Sequence, residues 1–152
     1  MIEEAILPDS ARATLEAMFF ATPDTVSADP RRPEGEVIAA RLTFKGSPPG
    51  RFGLLVSDGL ARTLAANFTG ADEPDLLPGQ VSGVIGELAN MICGAAVSGL
   101  ESEAHFDLSS PEVIRLGAAD PSPPFADGSP SVCRLEFSGG TLVLFLAPED
   151  RL

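Results

Sequence analysis

The chain has 152 residues, 44% of them hydrophobic, and carries 22 acidic against 10 basic side chains for a formal net charge of −12. That length suits a single domain over 1–152 with a real core, and the charge disfavours a polyphosphate backbone, so no nucleic-acid partner is expected. No apolar run approaches the roughly 20 residues of a membrane span, and the acidic start Met1-Ile2-Glu3-Glu4 is unlike a signal peptide, so a cytoplasmic location without a membrane partner is expected.

Residues 8–21 read as a first helix, with Asp9 or Ser10 as N-cap and Ala11, Leu15, Met18 and Phe19 on its buried face. Residues 22–36 contain Pro23, Pro30 and Pro33, which lack the amides that a helix or central strand uses, and read as loop. Val37 to Lys45 reads as a strand that alternates from Ala40 onward. Ser47-Pro48-Pro49-Gly50 then turns the chain into a second strand, Arg51 to Ser57. Ser57 or Asp58 caps a helix running to about Phe68, with Leu60, Leu64, Ala65 and Phe68 at helical spacing. Residues 71–79, with Asp72, Glu73, Pro74, Asp75 and Pro78, read as a polar loop.

The stretch from Gln80 to Leu100 organises the rest. Wound at about 100° per residue, it places Val81, Val84, Ile85, Leu88, Met91, Ile92, Ala95 and Ala96 on one apolar arc. Ser82, Gly83, Gly86, Glu87, Asn90, Cys93 and Gly94 fall on the other, with Val97 as the one large apolar intruder. A solvated face ordinarily carries several long polar side chains, whereas this one has a single carboxylate and a single carboxamide among small residues. Each interior glycine costs roughly 0.5–1 kcal/mol relative to alanine. Gly83, Gly86 and Gly94 therefore mark close approach, either of the chain's own sheet or helices or of an outside surface into which Glu87 and Asn90 project. Those two residues, at i and i+3, are neighbours on one helical face.

Downstream, Glu103 to Ser109 alternates, with Ala104, Phe106 and Leu108 inward, and leaves His105 exposed rather than placed as a ligand. Val113 to Leu116 is a short extension past Pro111. Residues 117–131, with Pro121, Pro123, Pro124 and Pro130, form an irregular loop. Val132 to Phe137 and Leu142 to Ala147 pair as a hairpin across Ser138-Gly139-Gly140-Thr141. Cys93 and Cys133 sit among apolar neighbours and read as buried small hydrophobes rather than ligands. No Walker A, Gly-x-Gly-x-x-Gly or Gly-x-Ser-x-Gly pattern occurs. The element order implies an α+β fold with helices on one face of a mainly antiparallel sheet.

Glu87-Leu88-Ala89-Asn90, within Gly-Glu-Leu-Ala-Asn-Met-Ile-Cys-Gly, resembles the Glu-x-x-Asn helix of the CheX/CheC/FliY family of chemotaxis phosphatases. The likeness extends downstream through His105-Phe106-Asp107-Leu108 to Pro111, which resembles the proline following the motif helix, and upstream to Thr14-Leu15-Glu16-Ala17-Met18-Phe19-Phe20. A single Glu-x-x-Asn copy is the CheX arrangement. One departure is Gly83, where the CheC pattern has Asp or Ser, with Ser82 beside it.

The resemblance implies a CheC-like two-layer fold with an internal pseudo-repeat. In that repeat Glu16 matches Glu87 and Phe19 matches Asn90, so the first half keeps the carboxylate and loses the amide. It also implies the chemistry: hydrolysis of the aspartyl phosphate of a CheY-like receiver domain. Asn90 would orient the attacking water, Glu87 would pair with the receiver's lysine, and Gly83, Gly86 and Gly94 would admit the partner's surface. No cofactor is expected on this chain, and Mg2+ would belong to the receiver. With Gly83 in place of Asp or Ser, the alternative is a non-catalytic module that docks on a receiver or a flagellar-switch component. A third reading makes the glycine-rich face a subunit contact that buries Glu87 and Asn90. A homodimer is also expected, because Leu142 to Ala147 is almost wholly apolar for an edge strand and CheX-type proteins associate through their sheets.

Overall fold

The computed structural model describes residues 6–46, 49–100, 105–121 and 131–148. Three helices are described: α1 (Ile6–Phe19), α2 (Asp58–Thr69) and α3 (Pro78–Leu100). The strands are β1 (Thr25–Ser27), β2 (Val37–Lys45), β3 (Gly50–Ser57), β4 (Asp107–Leu108), β5 (Glu112–Leu116), β6 (Ser131–Phe137) and β7 (Gly140–Pro148). They form one antiparallel sheet in the order β1-β6-β7-β3-β2, with β4 and β5 both pairing along the far edge of β2. The α+β architecture is as expected.

Side-chain alternation assigns the two faces of the sheet. Ile38, Ala40, Leu42 and Phe44 of β2, Phe52, Leu54 and Val56 of β3, and Leu142, Leu144 and Leu146 of β7 point into one core with all three helices. The opposite face carries a small second cluster of Val37, Ala39 and Leu55, covered by Leu116 and Phe145. Because this end of β2 is covered on both faces, Val37 to Ala40 are all buried and alternation begins only at Arg41.

The helices take up their positions for legible reasons. In α1 the buried residues are Leu7, Ala11, Leu15 and Phe19, a clean helical stripe, whereas Met18 is exposed. The helix begins before the expected caps, so Asp9 sits in its first turn. Ser57 is the N-cap of α2, yet its hydroxyl does not cap; it accepts a hydrogen bond from the Thr141 N–H at 3.0 Å and ties the helix start to β7. Pro78 opens α3 two residues earlier than expected, a position that needs no amide, and the Leu77 N–H donates to Gln80 Oε1 at 2.8 Å in the manner of a capping box. Arg115, on the helix side of β5, donates to the Pro78 carbonyl at 3.2 Å and to Asp58 at 3.1 Å, which joins the starts of α2 and α3.

Four expectations need correction. First, the loop at 22–36 contains β1, which exists because β6 offers an edge to pair with. Second, of the described part of the expected strand, residues 105–109, only Asp107 and Leu108 pair, as β4; Glu103 and Ala104 lie outside the described residues. Third, β7 is not an edge strand: it is hydrogen-bonded to β6 on one side and β3 on the other. Its apolar sequence reflects burial in the middle of the sheet, so the edge-strand ground for a homodimer falls away, while the family resemblance that also suggested one is untouched by it. Fourth, α3 is by length and composition apolar enough to cross a membrane, with a mean hydropathy of 1.4 over an 18-residue window within Pro78–Gly99. That value comes from its many small and aliphatic residues, and over half of the segment is packed inside the fold.

Candidate functional site

α3 lies on β2 and β5 of the sheet with α1 and α2 beside it, so most of its circumference is occupied. Val81, Val84, Ile85, Leu88, Ile92 and Ala96 are buried as expected, with Leu88 fully so. Cys93 and Val97, assigned by periodicity to the open arc, are also buried, as is Ala89, while Ala95 is exposed. The buried arc is wider than one sheet contact would make it, because helices pack against α3 as well. What is left open is a narrow stripe. Gly83 and Glu87 are exposed on it and Asn90 is half-buried.

Glu87 and Asn90 therefore stand one helical turn apart on the solvent-facing stripe of a helix held rigidly from beneath. Among the described residues, neither side chain has a hydrogen bond or ion pair. Met91, expected in the core, is half-buried and four residues from Glu87, which makes it an apolar rim beside Asn90 that sequence reasoning missed.

The three glycines divide. At Gly83 an added Cβ would meet nothing within 4 Å, so the surface there is flat and open. At Gly86 the same atom would lie 3.2 Å from Val113 Cγ2 and 3.3 Å from Pro111 Cγ. Gly86 is buried, and the close approach it permits is made by the chain's own Pro111 and Val113, a correction to the expectation that it admits a partner. Gly94 is half-buried beneath Leu108, whose Cδ2 would be 3.9 Å from an added Cβ. Pro111 thus borders the site by filling the notch at Gly86, immediately before Glu87.

Other reactive groups lie elsewhere. Burial pushes the Cys93 thiol up to about 12 and the Cys133 thiol up to about 11, so both stay protonated at neutral pH. His105 is exposed and pairs with Asp107 at 3.1 Å. Among the described residues no three metal-ligating side chains converge. What the stripe offers is a carboxylate that can meet a cation and a carboxamide that can hold a water, both presented on a firm support.

The sequence model of the chemotaxis phosphatase CheX matches residues 38–124, more than half of the chain. The chain belongs to the CheX family. No curated protein matches it in sequence. Among solved structures, the chemotaxis protein CheX from Vibrio vulnificus aligns over 94% of this chain and 93% of that one, at 21% identity and a TM-score of 0.73. A chain of the CheX–CheY–BeF3–Mg2+ complex from Borrelia burgdorferi aligns over 99% and 100%, at 16% identity and a TM-score of 0.76. FliY from Thermotoga maritima aligns over 93% and 84%, at 19% identity and a TM-score of 0.62. At such identities the likeness establishes a shared CheX fold, while the family match covers β2 through α3 and therefore the Glu87–Asn90 stripe.

Proposed function

We propose that this CheX-family chain accelerates hydrolysis of the aspartyl phosphate on a CheY-like receiver domain. The observation that carries the proposal is the placement of Glu87 and Asn90 one turn apart on the open stripe of a core-anchored helix, with no side-chain partner among the described residues. Family membership supports the class of activity. The Borrelia relative solved with CheY, BeF3 and Mg2+ supports the class of partner.

The chemistry asked of this chain is modest. An aspartyl phosphate is already activated, and the receiver brings Mg2+ and a lysine to its own site. An asparagine amide both donates and accepts hydrogen bonds, so Asn90 holds a water in line with the scissile P–O bond. Placement of this kind lowers the barrier by several kcal/mol, and phosphoryl transfer depends on it more than on covalent participation. The Glu87 carboxylate pairs with the receiver lysine and sets the register of docking. Gly83 leaves room for the receiver's backbone beside them. A cytoplasmic location follows from this reading, since receiver domains work there.

The test is the decay of a phosphorylated receiver from the same organism, with and without this protein. Faster decay supports the proposal. Binding without faster decay overturns the catalytic part and leaves a receiver-docking module, the outcome that Gly83 in place of Asp or Ser would explain.

A further inference from the structure

Phe20 is a side chain that the core does not account for. It follows α1 directly, is 74% exposed and has φ 52, in the left-handed region that bulky residues avoid. Glycine ordinarily fills such a position after a helix. Beside Phe20 a shallow groove runs between the ends of α1 and α2, lined among others by Ala66, Asn67, Ala71, Asp72 and Glu73. Asn67 holds the two helix ends together by donating from Nδ2 to the Phe19 carbonyl at 2.9 Å.

The field at this groove has one sign. α1 ends at Phe19 and α2 at Thr69, and neither has a basic residue in its last turn. The negative ends of two helix dipoles therefore meet here without a compensating cation. Asp72, Glu73 and Asp75 follow in the next turn, all exposed, and no described lysine or arginine lines the groove. A groove lined more by polar than by apolar atoms, with an aromatic lip and a negative field, complements a ligand that is flat and cationic.

We propose that this groove docks a basic segment of a protein partner, with an arginine stacked on Phe20 and its guanidinium against Asp72 and Glu73. Arginine suits the site better than lysine because its planar cation stacks on an aromatic ring while its edge pairs with carboxylates. The groove lies off the start of α3, and Pro78 to Glu87 spans about 13 Å of helix rise. It is separate from the Glu87–Asn90 stripe and independent of the phosphatase reading.

The experiment titrates the 15N-labelled full chain with the peptide acetyl-Gly-Arg-Leu-Arg-Gly-amide and follows amide shifts. The expected result is a saturable set of shifts confined to the neighbourhood of Phe20, Asn67, Gly70, Asp72 and Glu73, weakening several-fold as salt is raised. Phe20→Gly removes the ring and eases the backbone at once, so that variant stays folded and should bind about tenfold more weakly. Asp72→Asn with Glu73→Gln should do the same, and exchanging both peptide arginines for lysine should lose several-fold. Glu87→Ala should leave the peptide affinity unchanged. No shifts at millimolar peptide, shifts spread over all acidic surfaces, full affinity in Phe20→Gly, or loss of affinity in Glu87→Ala would each overturn the proposal.

Discussion

α1 and α3 lie side by side on one face of the same sheet, and the chain gives them opposite tasks. Both carry a glutamate that faces solvent, Glu16 on α1 and Glu87 on α3. Three residues further on they part. On α1 that position is Phe19, fully buried and stacked on Phe68 with ring centroids 4.8 Å apart. On α3 it is Asn90, half-buried beside an open stripe. A core residue at the position turns a helix face into packing, whereas an amide there leaves a surface that can handle water. The comparison also explains why an exposed glutamate alone is no site: Glu16 has no polar neighbour one turn on.

The contrast can be broken by exchanging what each position does. Phe19→Ala on α1 should cost about 3–5 kcal/mol of stability, the usual loss for a buried aromatic, measured by urea unfolding. Asn90→Ala on α3 should cost less than about 1 kcal/mol by the same measurement. Its effect should instead fall on catalysis: a loss of about two orders of magnitude in receiver dephosphorylation, corresponding to roughly 2.7 kcal/mol, with receiver binding preserved. If Asn90→Ala destabilised the fold as Phe19→Ala does, the two positions would share a structural role and the distinction would collapse.

Glu87→Ala should weaken receiver binding by about tenfold at low salt. The wild-type affinity should fall as salt is added while the variant's falls less, since the screened ion pair is already gone. Glu16→Ala on α1 should change neither, and a matching defect there would mean that both helices contact the receiver.

The smallest effect sharpens the site itself. Gly83→Ala should raise stability by roughly 0.5–1 kcal/mol, because alanine is the better helix former and nothing crowds the new methyl. Gly86→Ala should gain less or lose stability, because the methyl meets Pro111 and Val113. Receiver affinity should drop only in Gly83→Ala if the partner's backbone lies against that glycine.

Much of this was legible along the chain because it depends on neighbours close in sequence. β2 runs over Val37–Lys45 as its pattern indicates, α2 starts at its serine cap, and the hairpin turns at Ser138-Gly139 with Phe137 opposite Gly140. The Glu87–Asn90 pairing on one face likewise follows from helical geometry alone, whatever surrounds it.

What the amino-acid sequence determined by itself was therefore the type and order of these elements and the two polar groups that share a helix face, since period and capping act within a few residues. Tertiary structure decided how many sides of each element are covered. Cys93 and Val97 are buried because other helices flank α3, a fact absent from its own periodicity. Gly86 is a notch for Pro111, twenty-five positions away in the chain, rather than for a partner. β7 is central because β3 and β6 both pair with it, and β1 exists only where β6 meets it. Hydrogen-bond partners and packing neighbours in a sheet come from distant segments, so their number is settled only when the chain closes on itself.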